Sequence, residues 1–247
     1  MRKRITIMNS PVDVLTMRET INLIDDSIHQ KKSIQHIVVN AAKLVHMQDD
    51  EELYQSVISS DIINADGMAV VWAAEILGKP LPERVAGVDL MQELVILASE
   101  KKYKIFFFGG KEDVVSEVVR KYKSVFGEEI IAGYRNGYFK KEEEATIAEQ
   151  IAVSDADILF VAISSPTKEI FLNTYKEQLK VPFIMGVGGS FDVVAGKVKR
   201  APKWMQKSGL EWFYRFMQEP GRMWKRYLIT NSKFIYYVLR EKIKNIF

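Results

Sequence analysis

Ile158-Leu159-Phe160-Val161-Ala162 is a run with no polar alternate. A strand with one face in water alternates apolar and polar side chains, so an unbroken run requires helices over both faces, as in a parallel sheet. The same reading extends outward to Gln35 to Val39, Asp61 to Ala65, Tyr103 to Phe108, Asp157 to Ile163 and Pro182 to Val187. Each is followed by a helix-like stretch; after Gly109-Gly110, for example, Val114, Val115, Val118, Val119 and Tyr122 recur at helical spacing. The expected fold class is α/β, a Rossmann-like, mostly parallel sheet with helices on both faces. Ligands of such sheets bind beyond the carboxyl ends of the strands. The residues that follow the runs are Asn40, Asp66-Gly67, Gly109-Gly110, Ser164-Ser165-Pro166 and Gly188-Gly189-Ser190, a polar, glycine-rich rim.

Composition shifts near Gly196 to Pro202, beyond which strand signals cease. The expected organisation is an α/β body over 1–196 and a helical, membrane-associating appendage over 197–247. Residues 195–247 hold 13 Lys or Arg against 3 acidic residues, a net +10 in a chain whose total is +3. They also carry 11 of the chain's 27 aromatic residues, including Trp204, Trp212 and Trp224. Basic and aromatic together fit an anionic surface with an apolar layer. Nucleic acid is the rival partner, through phosphate contacts and base stacking, and a docking helix with a solvated basic face is the plain structural alternative. The apolar residues Leu228, Ile229, Phe234, Ile235, Val238 and Leu239 between the charges favour the membrane, and nucleic acid is not an expected partner.

No apolar run approaches the roughly 20 residues that span a bilayer, so the expected contact is peripheral. The basic start Met1 to Arg4 is followed by Asn9, Pro11 and Asp13 rather than an apolar h-region, so export is not expected. The chain has no cysteine, which fits a reducing compartment. The expected location is cytoplasmic, peripheral on the inner face of the cell membrane. His29, His36 and His46 have no metal-binding spacing, and Asp50 reads as the cap of a helix holding Leu53 and Val57, so no metal is expected.

Gly186-Val187-Gly188-Gly189-Ser190-Phe191-Asp192 follows a strand and opens a short helix, a geometry that presents N–H groups to a phosphate or simply makes a tight turn. Neither it nor Phe106-Phe107-Phe108-Gly109-Gly110 matches a dinucleotide fingerprint, and no Walker lysine is present, so no cofactor is expected. Asp66 ends its strand before Gly67. By position alone it reads first as turn chemistry or a helix cap, with a base on a close-approaching substrate as the functional alternative.

Together, Asn40, Asp66-Gly67, Arg84, Gly87, Pro166 with Glu169, Gly186-Val187-Gly188-Gly189-Ser190, Arg200-Ala201-Pro202, Gly209-Leu210-Glu211-Trp212, Tyr214-Arg215, Glu219-Pro220 and Arg222 give the chain a family likeness. In order and spacing they resemble the WecB/TagA/CpsF glycosyltransferases, glycosyltransferase family 26, over nearly the whole chain. The resemblance implies an inverting hexosyl- or N-acetylhexosaminyltransferase that moves a sugar from a UDP-sugar to a polyprenyl-diphosphate-linked saccharide in polysaccharide or teichoic-acid-type biosynthesis. It makes Asp66 the catalytic base. Substrate-binding candidates are Asn40, Gly67, Arg84, Lys168, Gly188, Gly189 and Ser190 in the body, with Arg215, Arg222 and Arg226 from the tail. Arginine suits a diphosphate because its planar fork bonds two oxygens.

Two positions depart from the teichoic-acid members, which carry Thr and Gln where this chain has Val38 and Lys168. Both are expected near the donor, so the identity of the transferred sugar stays open, as does self-association. A non-catalytic nucleotide-binding regulatory or assembly protein at the membrane is the alternative function.

Overall fold

The structure, a computed structural model, describes residues 2–244, apart from the side chains of Lys207, Arg222, Met223, Lys225 and Arg226. The chain opens with an antiparallel hairpin, β1 (Arg4–Ile7) and β2 (Ser10–Asp13). There follow α1 (Met17–His29), β3 (Ile34–Val39), α2 (Ala41–His46), α3 (Glu51–Ile58), β4 (Ile62–Ala65), α4 (Met68–Ile76) and α5 (Gly87–Lys101). Next come β5 (Ile105–Gly109), α6 (Glu112–Phe126), β6 (Ile131–Arg135), α7 (Glu144–Ala152), β7 (Ile158–Ala162), α8 (Thr167–Leu179), β8 (Phe183–Gly186) and α9 (Ser190–Ala195). Beyond residue 196 the described chain carries only helices: α10 (Lys203–Lys207), α11 (Glu211–Gln218) and α12 (Pro220–Lys244).

The main sheet has six parallel strands in the order β4-β3-β8-β7-β5-β6. Its unalternated strands are covered on both faces, as the run at 158–162 requires. On one face Phe107, Ile158, Phe160, Phe183 and Met185 pack with α1, α5, α6 and α9. On the other, Phe106, Phe108, Leu159 and Ile184 meet α7 and α8, and Ile37, Val39, Ile63 and Ala65 meet α2, α3 and α4. All five strands read from the sequence are present. Asp50 does cap α3, accepting from the Leu53 N–H at 2.9 Å.

The hairpin and β6 gave no strand signal. In the hairpin, an inward position belongs to a polar residue: the buried Asp13 carboxylate accepts from Arg4 Nε and from the Ile63 N–H, both at 2.8 Å. The bond to Ile63 engages an outer backbone donor of edge strand β4, which blunts that edge. Strand β6 is the opposite edge, half exposed, with Gly133 where a Cβ would come within 2.8 Å of the Phe106 ring.

The last helix differs from the expectation at two residues. Phe234 and Val238 do not face outward but join the apolar cluster of α2, α4 and the β3–β4 edge, while Leu228, Ile229, Ile235 and Leu239 are exposed. Residues four apart share one helix face, so Phe234 and Val238 dock together while Ile235 and Leu239 turn outward together. The Glu241 carboxylate ties the docked face further by accepting from the Met8 N–H at 2.7 Å and pairing with Lys79 at 3.1 Å.

Candidate active site

Helix α2, after β3, lies on one face of the sheet, and α9, after the neighbouring β8, lies on the other. The chain ends of β3 and β8 therefore flank a crevice of the kind in which open α/β sheets bind ligands. Asn40 borders it on the β3 side, Gly188 and Gly189 on the β8 side, and Asp66 stands one strand further along. A separate cavity of about 350 Å³ lies at the opposite, N-terminal end of the strands, lined by Ser33, Asp157 and Lys176 among others, remote from this rim.

Asp66 is held by its backbone, whose N–H donates to Val39 O at 2.8 Å. Gly67 occupies the N-cap of α4 at φ +100°, and no side chain caps that helix. The helix-cap alternative for Asp66 is therefore not realised. A Cβ on Gly67 would meet nothing within 4 Å, so the glycine serves the positive-φ backbone turn rather than relieving a close contact. Among the described residues that carboxylate accepts no hydrogen bond. Burial pushes the Asp66 carboxyl above the usual range; Arg84 opposes the rise, Glu211 adds to it, and Arg215 and Lys43 oppose it.

Arg84 is at the site but engaged. Its Nη1 donates to Glu211 Oε2 at 2.8 Å, and its Nη2 lies 3.9 Å from Asp89. Arg200 completes the cluster, gripping Asp89 with two guanidinium nitrogens and reaching Glu211 at 3.3 Å. Glu211 begins α11, so the arginine of the body and the helices beyond residue 196 are already tied together. Arg215, one turn further along α11, is exposed and close enough to act on Asp66. The side chains of Arg222 and Arg226 lie outside the described residues.

The other candidates divide by what their side chains already do. Asn40 Oδ1 caps α2 by accepting the Lys43 N–H at 3.0 Å. Its amide nitrogen has no partner among the described residues. Ser190 Oγ donates to Val187 O at 2.7 Å and is committed to its own turn. Gly188, at φ +52°, and the exposed Gly189 offer backbone only. Val38 lies under the start of α5, its Cγ2 3.6 Å from where a Cβ on Gly87 would stand.

Lys168 is buried and pairs with Glu169 at 3.2 Å. The same Glu169 oxygen accepts from Lys43 Nζ at 2.8 Å. Burial, then the neighbouring Lys43, depress the Lys168 ammonium to about 8 against the pull of Glu169. Burial alone would raise the Glu169 carboxyl, but Lys43 and then Lys168 bring it down to about 2. Lys43, which acts on both Asp66 and this pair, had no signal in the sequence beyond standing three residues after Asn40. Glu211 stood out only as part of a motif, with no role.

The family model for the glycosyl transferase WecG/TagA/CpsF family matches residues 5–246. The chain belongs to this family. Among its relatives, the N-acetylglucosaminyldiphosphoundecaprenol N-acetyl-beta-D-mannosaminyltransferase of Bacillus spizizenii is 40% identical over 190 residues, 76% of this chain and 72% of the relative. The protein of the same name from Bacillus subtilis is 39% identical over 193 residues, 78% of this chain and 74% of the relative. In this WecG/TagA/CpsF member the parallel sheet brings Asn40, Asp66, Gly188 and Gly189 to one rim, with Arg84, Glu211, Arg215 and Lys43 all acting on Asp66.

Proposed function

We propose that the protein transfers a sugar with inversion from a UDP-sugar to a polyprenyl-diphosphate-linked saccharide, with Asp66 as general base. The relatives' names support an N-acetylglucosaminyl-diphospholipid acceptor and an N-acetylmannosaminyl donor group. The single observation that carries the reading is the Asp66 carboxylate itself: unbonded among the described residues, half-buried at a strand's carboxyl end, raised by desolvation and acted on by Arg84, Glu211, Arg215 and Lys43. A carboxylate raised above its ordinary range takes a proton more readily than a solvated one.

In the reaction the acceptor hydroxyl oxygen bonds to the anomeric carbon, its proton passes to Asp66, and the bond to the diphosphate breaks with its electron pair leaving on UDP. The departing charge calls for fixed cations and N–H dipoles. Arg84, Lys168, Arg215 and the Gly188-Gly189 backbone are the groups at hand, and a diphosphate reaching Arg84 competes with Glu211 for it. Turnover of UDP-N-acetylmannosamine and other UDP-sugars with a short-chain N-acetylglucosaminyl-diphospholipid tests the reading. Tight UDP binding with no transfer to any acceptor would favour the regulatory alternative instead.

The helices beyond residue 196 fit a peripheral role on an anionic membrane, where a lipid-linked acceptor resides. Trp204, Trp212, Trp224, Leu228, Ile235 and Leu239 are all exposed in a segment rich in lysine and arginine. Among the described residues no helix is long and apolar enough to cross a membrane. Each basic residue near such a surface contributes about 1 kcal/mol, so several together with inserted aromatics hold a protein reversibly. Replacing Leu228, Ile235 and Leu239 by Glu should abolish sedimentation with phosphatidylglycerol vesicles while leaving the fold intact. Unchanged sedimentation would remove the membrane role, and stronger binding to oligonucleotides than to vesicles would favour nucleic acid.

A further inference from the structure

At the β3–β8 crevice one buried lysine, Lys168, has only a shared carboxylate for a partner. Lys43 and Lys168, each more than nine-tenths buried, address one oxygen of the fully buried Glu169, at 2.8 and 3.2 Å. The other carboxylate oxygen, Oε2, is buried with no partner. Two ammonium groups share one carboxylate oxygen; the next carboxylate, Asp66, acts on Lys43 and not on Lys168, and a buried ammonium left with half of one partner is costly unless something else pairs with it.

The position of that charge is specific. The stem of Lys168 runs along Gly186, where any Cβ would fall 2.6 Å from its Cε. Its Nζ ends 4.0 Å from where a Cβ on Gly188 would stand, directly beneath the turn whose backbone is partly open to solvent. Gly186 thus admits the lysine stem, and Gly188 leaves its head without a covering side chain.

We propose that Lys43, Glu169 and Lys168 form an anion subsite of the donor pocket, filled by one charged oxygen of the nucleotide-sugar, from its diphosphate or from a carboxylate on the transferred sugar. This rests on the UDP-sugar reading above. Lys168 touches the anion. Lys43 is a positioning residue: by sharing Glu169 it prevents that carboxylate from neutralising Lys168 alone. The groups facing Lys168 are Lys43 from α2 and Glu169 from its own helix, while the end of β8 and the turn after it present Gly186 and Gly188. Beyond Lys43 lie Asp66 and the buried His36, which burial holds down at about 4 and therefore neutral. With Lys168 depressed to about 8, the free subsite is charged below that pH and loses its charge above it.

Calorimetric titration of UDP, a UDP-N-acetylhexosamine and a UDP-hexuronate into the wild type, Lys168→Met and Lys43→Met decides the matter. If the diphosphate fills the subsite, both substitutions weaken all three ligands about tenfold or more. If a sugar carboxylate fills it, only the UDP-hexuronate weakens. In either case the wild type binds the affected ligand less tightly at pH 9 than at pH 7, and Lys168→Met loses that pH dependence, which a packing defect alone would not cause. Wild-type binding that is independent of pH and unmoved by either substitution overturns the subsite while sparing the donor reading. Failure of the wild type to bind any of the three removes both.

Discussion

Asp66 and Glu211 are coupled through space, and each makes the other testable. Asp66→Asn should preserve the fold and UDP binding while lowering turnover by roughly 10²-fold or more, the scale of a lost general base; near-normal turnover in a folded variant would discard the assignment. Because desolvation raises the Asp66 carboxyl, the acidic limb of kcat/KM against pH should fall above the ordinary aspartate range, activity appearing as the carboxylate forms. Glu211 contributes to that rise and also occupies Arg84. Glu211→Gln should therefore move the limb to lower pH and tighten UDP binding a few-fold, and a limb that stays in place would show that the carboxylate does not act on the base. At this scale the position of Asp66 was legible, because a strand end and a following glycine are local features, whereas its role as base is a proposal. Lys43 was not: a lysine in the first turn of a short helix reads as solvated, and its partner Glu169 lies 126 residues away. Glu211, 127 residues from Arg84, was hidden for the same reason.

Among the elements, α12 shows where pattern reading succeeds and where it stops. Its helical character and basic, aromatic make-up were plain, but apolar residues are distributed around the whole helix, so nothing local says which of them dock. The structure assigns Phe234 and Val238 to the core and leaves Ile235 outside. Phe234→Ala should cost about 3 kcal/mol or more of unfolding free energy, whereas Ile235→Ala, at an exposed position, should change it by about 0.5 kcal/mol or less. Urea denaturation of the two variants checks this, and the reverse ranking would mean that the helix is seated on its other face. The buried strands were readable because two-sided burial forbids alternation. The edge strand β6 was not, since half its surface is wet and Gly133 is demanded by the Phe106 ring from a neighbouring strand. The hairpin escaped because Asp13, an inward residue, is polar in order to serve Arg4 and the backbone of β4.

For the molecule as a whole, the sheet contains its own acid sensitivity. His36 is fully buried in β3, its Nε2 2.9 Å from Asn64 Oδ1, and burial depresses it from 6.5 to about 4. Above pH 6.5 it is neutral in both folded and unfolded chains. As pH falls from 6.5 towards 4 the unfolded chain takes up the proton and the folded one does not, so stability is lost over that window, on the order of 3 kcal/mol. Glu169, depressed to about 2, adds a loss only below its ordinary range of about 4.5. Unfolding free energies at pH 7, 5 and 4 should therefore fall steeply in the wild type and less steeply in His36→Gln. Equal slopes in the two proteins would assign the acid sensitivity elsewhere.

The seating of α12 also bears on how the protein is made. Phe234 and Val238 close the same apolar cluster as Ile5, Ile7 and Val12, and Glu241 holds the backbone of Met8, a contact spanning 233 residues. A chain still emerging from the ribosome can form its central strands, but the beginning of the sequence must wait for its far end before the cluster is sealed. Contacts of such long sequence separation slow folding. During synthesis this apolar cluster is therefore completed late, and the nascent chain gains its finished core only after α12 has left the exit tunnel.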